Sequence, residues 1–356
     1  MTPAACMLPD TAAPAHHPAP EAAMTVTRRH IQIALGVLWL LDGALQLQSY
    51  MFTSGFAHQI IDPAAAGQPV GVAAPVHWAA HLIAAAPVLT NTVFALGQLA
   101  LGAGLLWART ARWALAASIA WALSVWLLGE GLGGLAGGHT LLLTGAPGAV
   151  LLYAMAAVLA WPQPASGAVD AGHRWRADTP PSAWAAPVWA LLWSAGAILQ
   201  VLPGNGAVPA IASSADSAPQ PLATLDRALA SALATHSAVT TVALALVMAA
   251  VGLGVLAARP WRRIAAYTGV VLALLFWLLG QGAGLLTSGR STDPNTGPLL
   301  VLLAVAVLGS RTPGLPLRSS GMTGLRLGGS TASVPRGDLS STRRKQASAP
   351  STKDPQ

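Results

Sequence analysis

The chain has 356 residues, of which 54% are hydrophobic and only 9% charged, and its formal net charge is +7. That balance excludes an ordinary soluble globular domain and predicts an all-α polytopic membrane protein. One cysteine, Cys6, excludes an intramolecular disulfide, a thiolate metal cluster and an iron–sulfur centre held within one chain.

Residues 1–28, rich in Ala and Pro, lack the apolar core of a signal peptide and are expected to form a disordered tail, with Met24 an alternative start to Met1. Eight apolar stretches follow, at about 30–51, 88–108, 113–136, 146–162, 184–203, 238–258, 263–287 and 297–310. A straight helical span needs roughly 20 residues, which the fourth and eighth stretches approach from below. Lipid offers no partner to a backbone amide, so continuous apolar runs of this kind are helices. Residues 163–183 form a linker rich in Pro and Ala, and 311–356 a basic, Ser- and Gly-rich tail expected to be disordered.

Of the 19 Lys and Arg, all but Arg227 and Arg290 fall in the tails and even-numbered connections. This bias predicts a plasma-membrane protein with both termini in the cytoplasm. Trp107, Trp113, Trp161, Trp184 and Trp261 stand near helix ends, as interfacial anchors do.

Within the first helix, Asp42 and Gln46 are one turn apart on one face, Asp42 about 18 Å from the inner end. The long outer loop that follows holds "PVHWAAHLIAAAP", where His77 and His81 are four apart. Two readings fit: an amphipathic helix on the membrane surface, the expected one, or a pair of imidazole ligands for a divalent metal. The second helix contributes Gln98, and the third ends in "WLLGEGLGGLAGGH", with Glu130 about 25 Å up. Its glycines suit close helix packing, the expected reading, or an unwound segment lining a cavity. No Lys or Arg lies inside a predicted span to neutralise Asp42 or Glu130. Each must be protonated, hydrogen-bonded to amides, or paired with a bound cation, unless Glu130 only reaches headgroup water. "TGAPGA" and "STDPNTGPL" are turn signals at the entries to the fourth and eighth helices, with Asp293 as a cap or as part of an outer polar site.

An internal repeat organises the chain. "WLLGEGLGGL" at 126–135 matches "WLLGQGAGLL" at 277–286, "LGAGLLWARTAR" resembles "VGLGVLAARPWR", and Trp39 with Gln46 corresponds to Trp193 with Gln200. Gly138 pairs with Gly289 and Pro147 with Pro298 in this alignment. The halves, 29–162 and 184–310, are thus two four-helix units in the same orientation, with a cavity expected where they meet. At matched positions the first half is the more polar: Asp42 faces Gly196, Gln98 faces Met248, and Glu130 faces Gln281. The asymmetry points to a site in the first half, built from Asp42, Gln46, Gln98 and Glu130, with Gln200 and Gln281 as counterparts in the second.

The duplicated unit, with "LWLLDGALQLQSYMF" and "WLLGEGLGG", resembles uncharacterised polytopic membrane proteins of high-GC actinobacteria over residues 29–310. More distantly its architecture is similar to the DoxX-type four-helix unit. That resemblance implies a partner in membrane thiol or quinone redox chemistry, and it supplies no site residue.

Three functions follow: a protein that binds or transports a proton, cation or small polar solute through an outer-facing cavity; an accessory subunit of a quinone or thiol redox system; or a structural membrane protein without a site. No catalytic residue is singled out, and an enzyme is the less expected outcome. No histidines face one another within the spans, His30 standing only at the edge of the first, so haem is not expected. The basic tail suits anionic lipid and, without aromatic interleaving or a fold motif, not nucleic acid.

Overall fold

The computed structural model describes residues 25–164 and 175–310; the expectations for the N-terminal tail, the middle of the linker and the basic tail lie outside the described residues. In chain order the helices are α1 (Arg28–Leu45), α2 (Ser54–Phe56), α3 (Val70–Ala85), α4 (Pro87–Leu106), α5 (Ala111–Leu128), α6 (Ala149–Leu159), α7 (Ala185–Gln200), α8 (Ala207–Ser214), α9 (Gln220–Leu233), α10 (Ser237–Gly254), α11 (Arg259–Leu279) and α12 (Thr296–Gly309). Among the described residues the only strands are Gln163–Pro164 and Trp175–Arg176, paired antiparallel across the linker.

Four stretches are long and apolar enough to cross a membrane: α4, α5, the run Gln220–Gly254 through α9 and α10, and α11. Helices α3, α6, α7 and α12 are apolar but shorter. Helix α1 has 18 residues, yet holds Arg28, Arg29 and Asp42.

The short and long helices occupy different places for a physical reason. α6 and α12 pack on each other, and most of their apolar residues are buried, as expected of helices without a polar face, Val158 of α6 being an exposed exception. The long helices lie outside. Only 22% of α5 and 33% of α4 and of α11 are buried, and the exposed side chains are Val93, Leu96, Val271 and Leu274, which suit hydrocarbon and not water. α1 packs on α4 and α7 on α10. Small residues permit both contacts: a Cβ on Gly102 would lie 2.8 Å from the Gly36 carbonyl oxygen, and one on Gly252 would lie 2.9 Å from Ser194 Oγ.

Arginines close several helix C-termini. Arg28 donates to the carbonyls of Trp161, just past α6, and Pro180; Arg29 donates to those of Leu105 and Leu106 at the end of α4; Arg262 donates to those of Val307 and Ser310 at the end of α12. A guanidinium there satisfies orphan carbonyls and faces the negative end of the helix dipole.

The third and seventh expected spans end early, at Leu128 and Leu279 instead of near 136 and 287. In both places the backbone changes hand. Gly131, Leu132, Gly133 and Gly134 have φ of 53°, 58°, 61° and 76°; Gly282, Ala283, Gly284 and Leu285 have 53°, 54°, 68° and 54°. Each L-residue so placed costs about 1–2 kcal/mol, which is why glycine fills most of these positions. At Gly133 space adds a second demand, since a Cβ would lie 2.0 Å from the Pro147 carbonyl oxygen. The expected packing of these glycines on a neighbouring helix is therefore corrected. Gly131, Gly133 and Gly284 meet the carbonyls of Ala64, Pro147 and Pro294, and Gly129 and Gly133 line a cavity, which is the other reading, an unwound segment.

Candidate functional site

Helix α1 places Trp39, Asp42 and Gln46 along one buried stripe, because residues three and four apart share a face. Trp39 is held by its indole N–H, which donates to Ser118 Oγ at 2.8 Å, and by the Tyr153 ring, 4.5 Å away between centroids. The Tyr153 hydroxyl stands beside the Asp42 carboxyl. From α4, Asn91 donates to the Gln46 carbonyl at 2.7 Å, and Gln98 lies two turns further along.

Glu130 follows the end of α5. Its Oε1 accepts from the backbone N–H of Val150 at 3.4 Å, in the first turn of α6. Gly148 makes room for this contact: a Cβ there would lie 2.0 Å from Glu130 Oε2. Trp126 pins the same corner by donating to the Pro147 carbonyl at 2.7 Å. Glu130 therefore caps a helix, and its burial together with Asp293 pushes its carboxyl up to about 8, outweighing the helix N–H groups that lower it.

The entry to α12 is built the same way. Trp277 donates to the Pro294 carbonyl at 2.7 Å, and Gln281 Oε1 accepts from the Gly297 N–H at 3.3 Å. The partner of the Trp277 indole is thus Pro294 and not Pro298, which corrects the sequence pairing of Pro147. Gln281 also donates through Nε2 to the Leu143 carbonyl at 3.4 Å.

Asp42, Gln46, Gln98 and Glu130, the four residues expected to form a site, line one cavity of about 790 Å³. The loop before α12 adds Thr292, Asp293 and Asn295, so that Asp293, expected as a cap or as part of an outer polar site, lines the same cavity. The loop reaches across because Gln48 donates to the Ser291 carbonyl at 3.2 Å and Arg290 stacks 4.5 Å over the Tyr50 ring. Asp293 accepts from the Thr292 hydroxyl and the Asn295 N–H, each at 2.7 Å, so it both shapes the turn and faces the cavity. Desolvation in the wall raises the Asp293 carboxyl above its ordinary value, outweighing these two hydrogen bonds, which lower it. Pairing the two prolines correctly sets Asp293 opposite Ala146 in the repeat; that one-sided acid was the signal available.

Every formally charged lining residue is a carboxylate: Asp42, Glu130 and Asp293, with no Lys, Arg or His among the lining. Asp42 Oδ1, Gln46 Oε1, Gln98 Oε1 and Glu130 Oε2 are buried without a hydrogen-bond partner. Trp121 Nε1 is unpartnered as well. Buried acceptors without donors are costly, so the wall is complementary to protons, cations or donor-rich solutes.

His77 and His81 lie elsewhere. Both are exposed on α3, and His77 Nδ1 is 2.7 Å from Asp62 Oδ1. Among the described residues no three His, Cys, Asp or Glu stand where one metal ion could be shared. Gln200 is fully buried with both amide atoms unpartnered, and neither it nor Gln281 lines the cavity. At the second-half positions matched to Asp42 and Gln98, the Met248 methyl lies 2.8 Å from where a Gly196 Cβ would stand. Between α7 and α10 sulfur and carbon fill the kind of space that oxygen lines beside α1 and α4.

Comparison with protein families, with curated proteins and with solved structures finds no match for this chain.

Proposed function

We propose that this is a multi-pass protein of the plasma membrane, built from two four-helix units in parallel orientation with both termini cytoplasmic. Its outer-facing cavity binds, and passes or senses, a proton, cation or small polar solute. One observation carries the reading: three carboxylates and two amides with unpartnered oxygens, Gln46 and Gln98, share a cavity whose lining has no basic side chain. The orientation rests on the distribution of Lys and Arg. The duplication is supported by the paired left-handed turns and the paired Trp-to-Pro hydrogen bonds.

The full chain in proteoliposomes tests this. An imposed pH or cation gradient should dissipate faster than in protein-free vesicles, and Asp42→Asn combined with Glu130→Gln should abolish the difference. Equal traces for wild type, variant and empty vesicles would leave only a structural role.

A second reading, an accessory redox subunit of DoxX-type architecture, draws on one feature. Trp78 and Leu82 line the cavity yet are 57% and 48% exposed, an apolar mouth suited to a quinone entering from lipid. Quinone-dependent quenching of tryptophan fluorescence that Trp78→Ala weakens would favour it.

A further inference from the structure

We infer that the occupant of this cavity is an organic ammonium ion, held by its N–H groups on Asp42 and Glu130 and by its carbon skeleton against aromatic rings. This rests on the binding reading above and narrows its ligand class.

Size is the first argument. The cavity, about 790 Å³, falls in the range of sites for organic ligands and is far larger than a dehydrated inorganic ion requires. The acids are also spaced along the walls and not gathered round a point, since no metal-holding group of three exists among the described residues.

The walls supply the second argument. Phe94 meets Phe56 edge-to-face at 6.5 Å and Trp121 at 5.8 Å, which sets ring faces at right angles around one corner of the cavity. A ring face attracts a positive charge, and more strongly when water is excluded. An inorganic ion could use the ring faces but would leave most of a cavity this size unfilled, and a neutral apolar ligand would leave the carboxylates unpaired. A cationic nitrogen on a carbon skeleton uses the rings and the carboxylates. The oxygens of Gln46 and Gln98, on residues 3% and 8% exposed, lack donors of their own, and a side-chain rotation would bring them to its N–H groups.

The test uses the purified full chain in nanodiscs, titrated with phenethylammonium, its neutral analogue phenethyl alcohol, and sodium, potassium and calcium chlorides, read by calorimetry and tryptophan fluorescence. Phenethylammonium should bind saturably, and the alcohol should fail to displace it. Asp42→Asn and Trp121→Leu should each weaken it roughly tenfold or more. Glu130→Gln, which keeps the helix cap, should do the same. His77→Ala, outside the cavity, should not. An unchanged melting midpoint in each variant separates lost binding from lost folding.

Saturable binding of an inorganic cation that Asp42→Asn removes, with no response to phenethylammonium, would overturn the organic class and keep the cavity reading. No response to any probe, together with silent proteoliposomes, would sink both. Binding of the alcohol as tightly as the amine would also refute the inference.

Discussion

Glu130 carries two roles that substitution can separate. In Glu130→Gln the amide oxygen still accepts from the Val150 N–H, as Gln281 Oε1 accepts from the Gly297 N–H at 3.3 Å. Stability should therefore change by less than about 0.5 kcal/mol, the scale of a substitution that preserves its contacts. Glu130→Ala removes the cap, leaving an N–H of the first turn of α6 without its acceptor, and should cost about 1–2 kcal/mol. The reverse exchange is asymmetric. In Gln281→Glu a carboxylate oxygen replaces the Nε2 that donates to the Leu143 carbonyl, so two acceptors face each other in a buried corner. That should cost about 1–3 kcal/mol, more than Glu130→Gln. Thermal melts of the three variants in one detergent, followed by tryptophan fluorescence, give the order directly: Glu130→Gln close to wild type, the other two several degrees lower. If Glu130→Gln falls as far as Glu130→Ala, the cap depends on charge and the equivalence with Gln281 is wrong.

Gly133→Ala should prevent folding or lower the melting midpoint sharply, because it adds a 2.0 Å clash with the Pro147 carbonyl to a positive φ; Gly138→Ala, at φ 75° with nothing within 4 Å, should cost only about 1–2 kcal/mol by the same melt. Asp293 is an acid whose pKa burial raises above the ordinary carboxylate range, so the stability linked to it is greatest below that range and is lost as pH rises through the folded value. The midpoint of the ligand-free protein should accordingly decline from pH 4 upward, and Asp293→Asn should flatten that slope; an equally steep slope in the variant would assign the titration to another group. Arg29→Lys should retain the inward charge but lose the fork that meets both Leu105 and Leu106 carbonyls, costing about 1 kcal/mol in the same melt without altering protease accessibility of the tails.

Much of this architecture was legible because lipid imposes simple rules on composition. Continuous apolar runs marked α1, α4, α5, α6, α7, α10, α11 and α12 but not α3 or α9, and the polar exceptions Asp42, Gln46, Gln98 and Glu130 marked the cavity wall. What failed was local backbone geometry. "GEGLGG" and "GQGAGLL" continue an apolar run, so periodicity extended α5 and α11 across turns that only φ values reveal. The role of Asp293 was half hidden. In "STDPNTG" it reads as a cap or as part of an outer polar site, but its place in this wall depends on Gln48 and Arg290 drawing a distant loop over the first bundle. Contacts between residues some 240 positions apart leave no trace in local pattern. The indole bonds of Trp126 and Trp277 were likewise invisible until the prolines could be paired by geometry instead of spacing.

The brevity of α6 has an electrical meaning. Its 11 residues rise about 16 Å, roughly half of a 30 Å hydrocarbon layer, and the cavity lies at its N-terminal end. In a bilayer, a voltage falls mainly across the dry part of its path, so a hydrated cavity above α6 would concentrate the field on the tightly packed half below. In the orientation proposed above, a charge resting on Glu130 would sit near the outer potential, and one moved past Tyr153 would cross most of it, at about 2.3 kcal/mol per 100 mV.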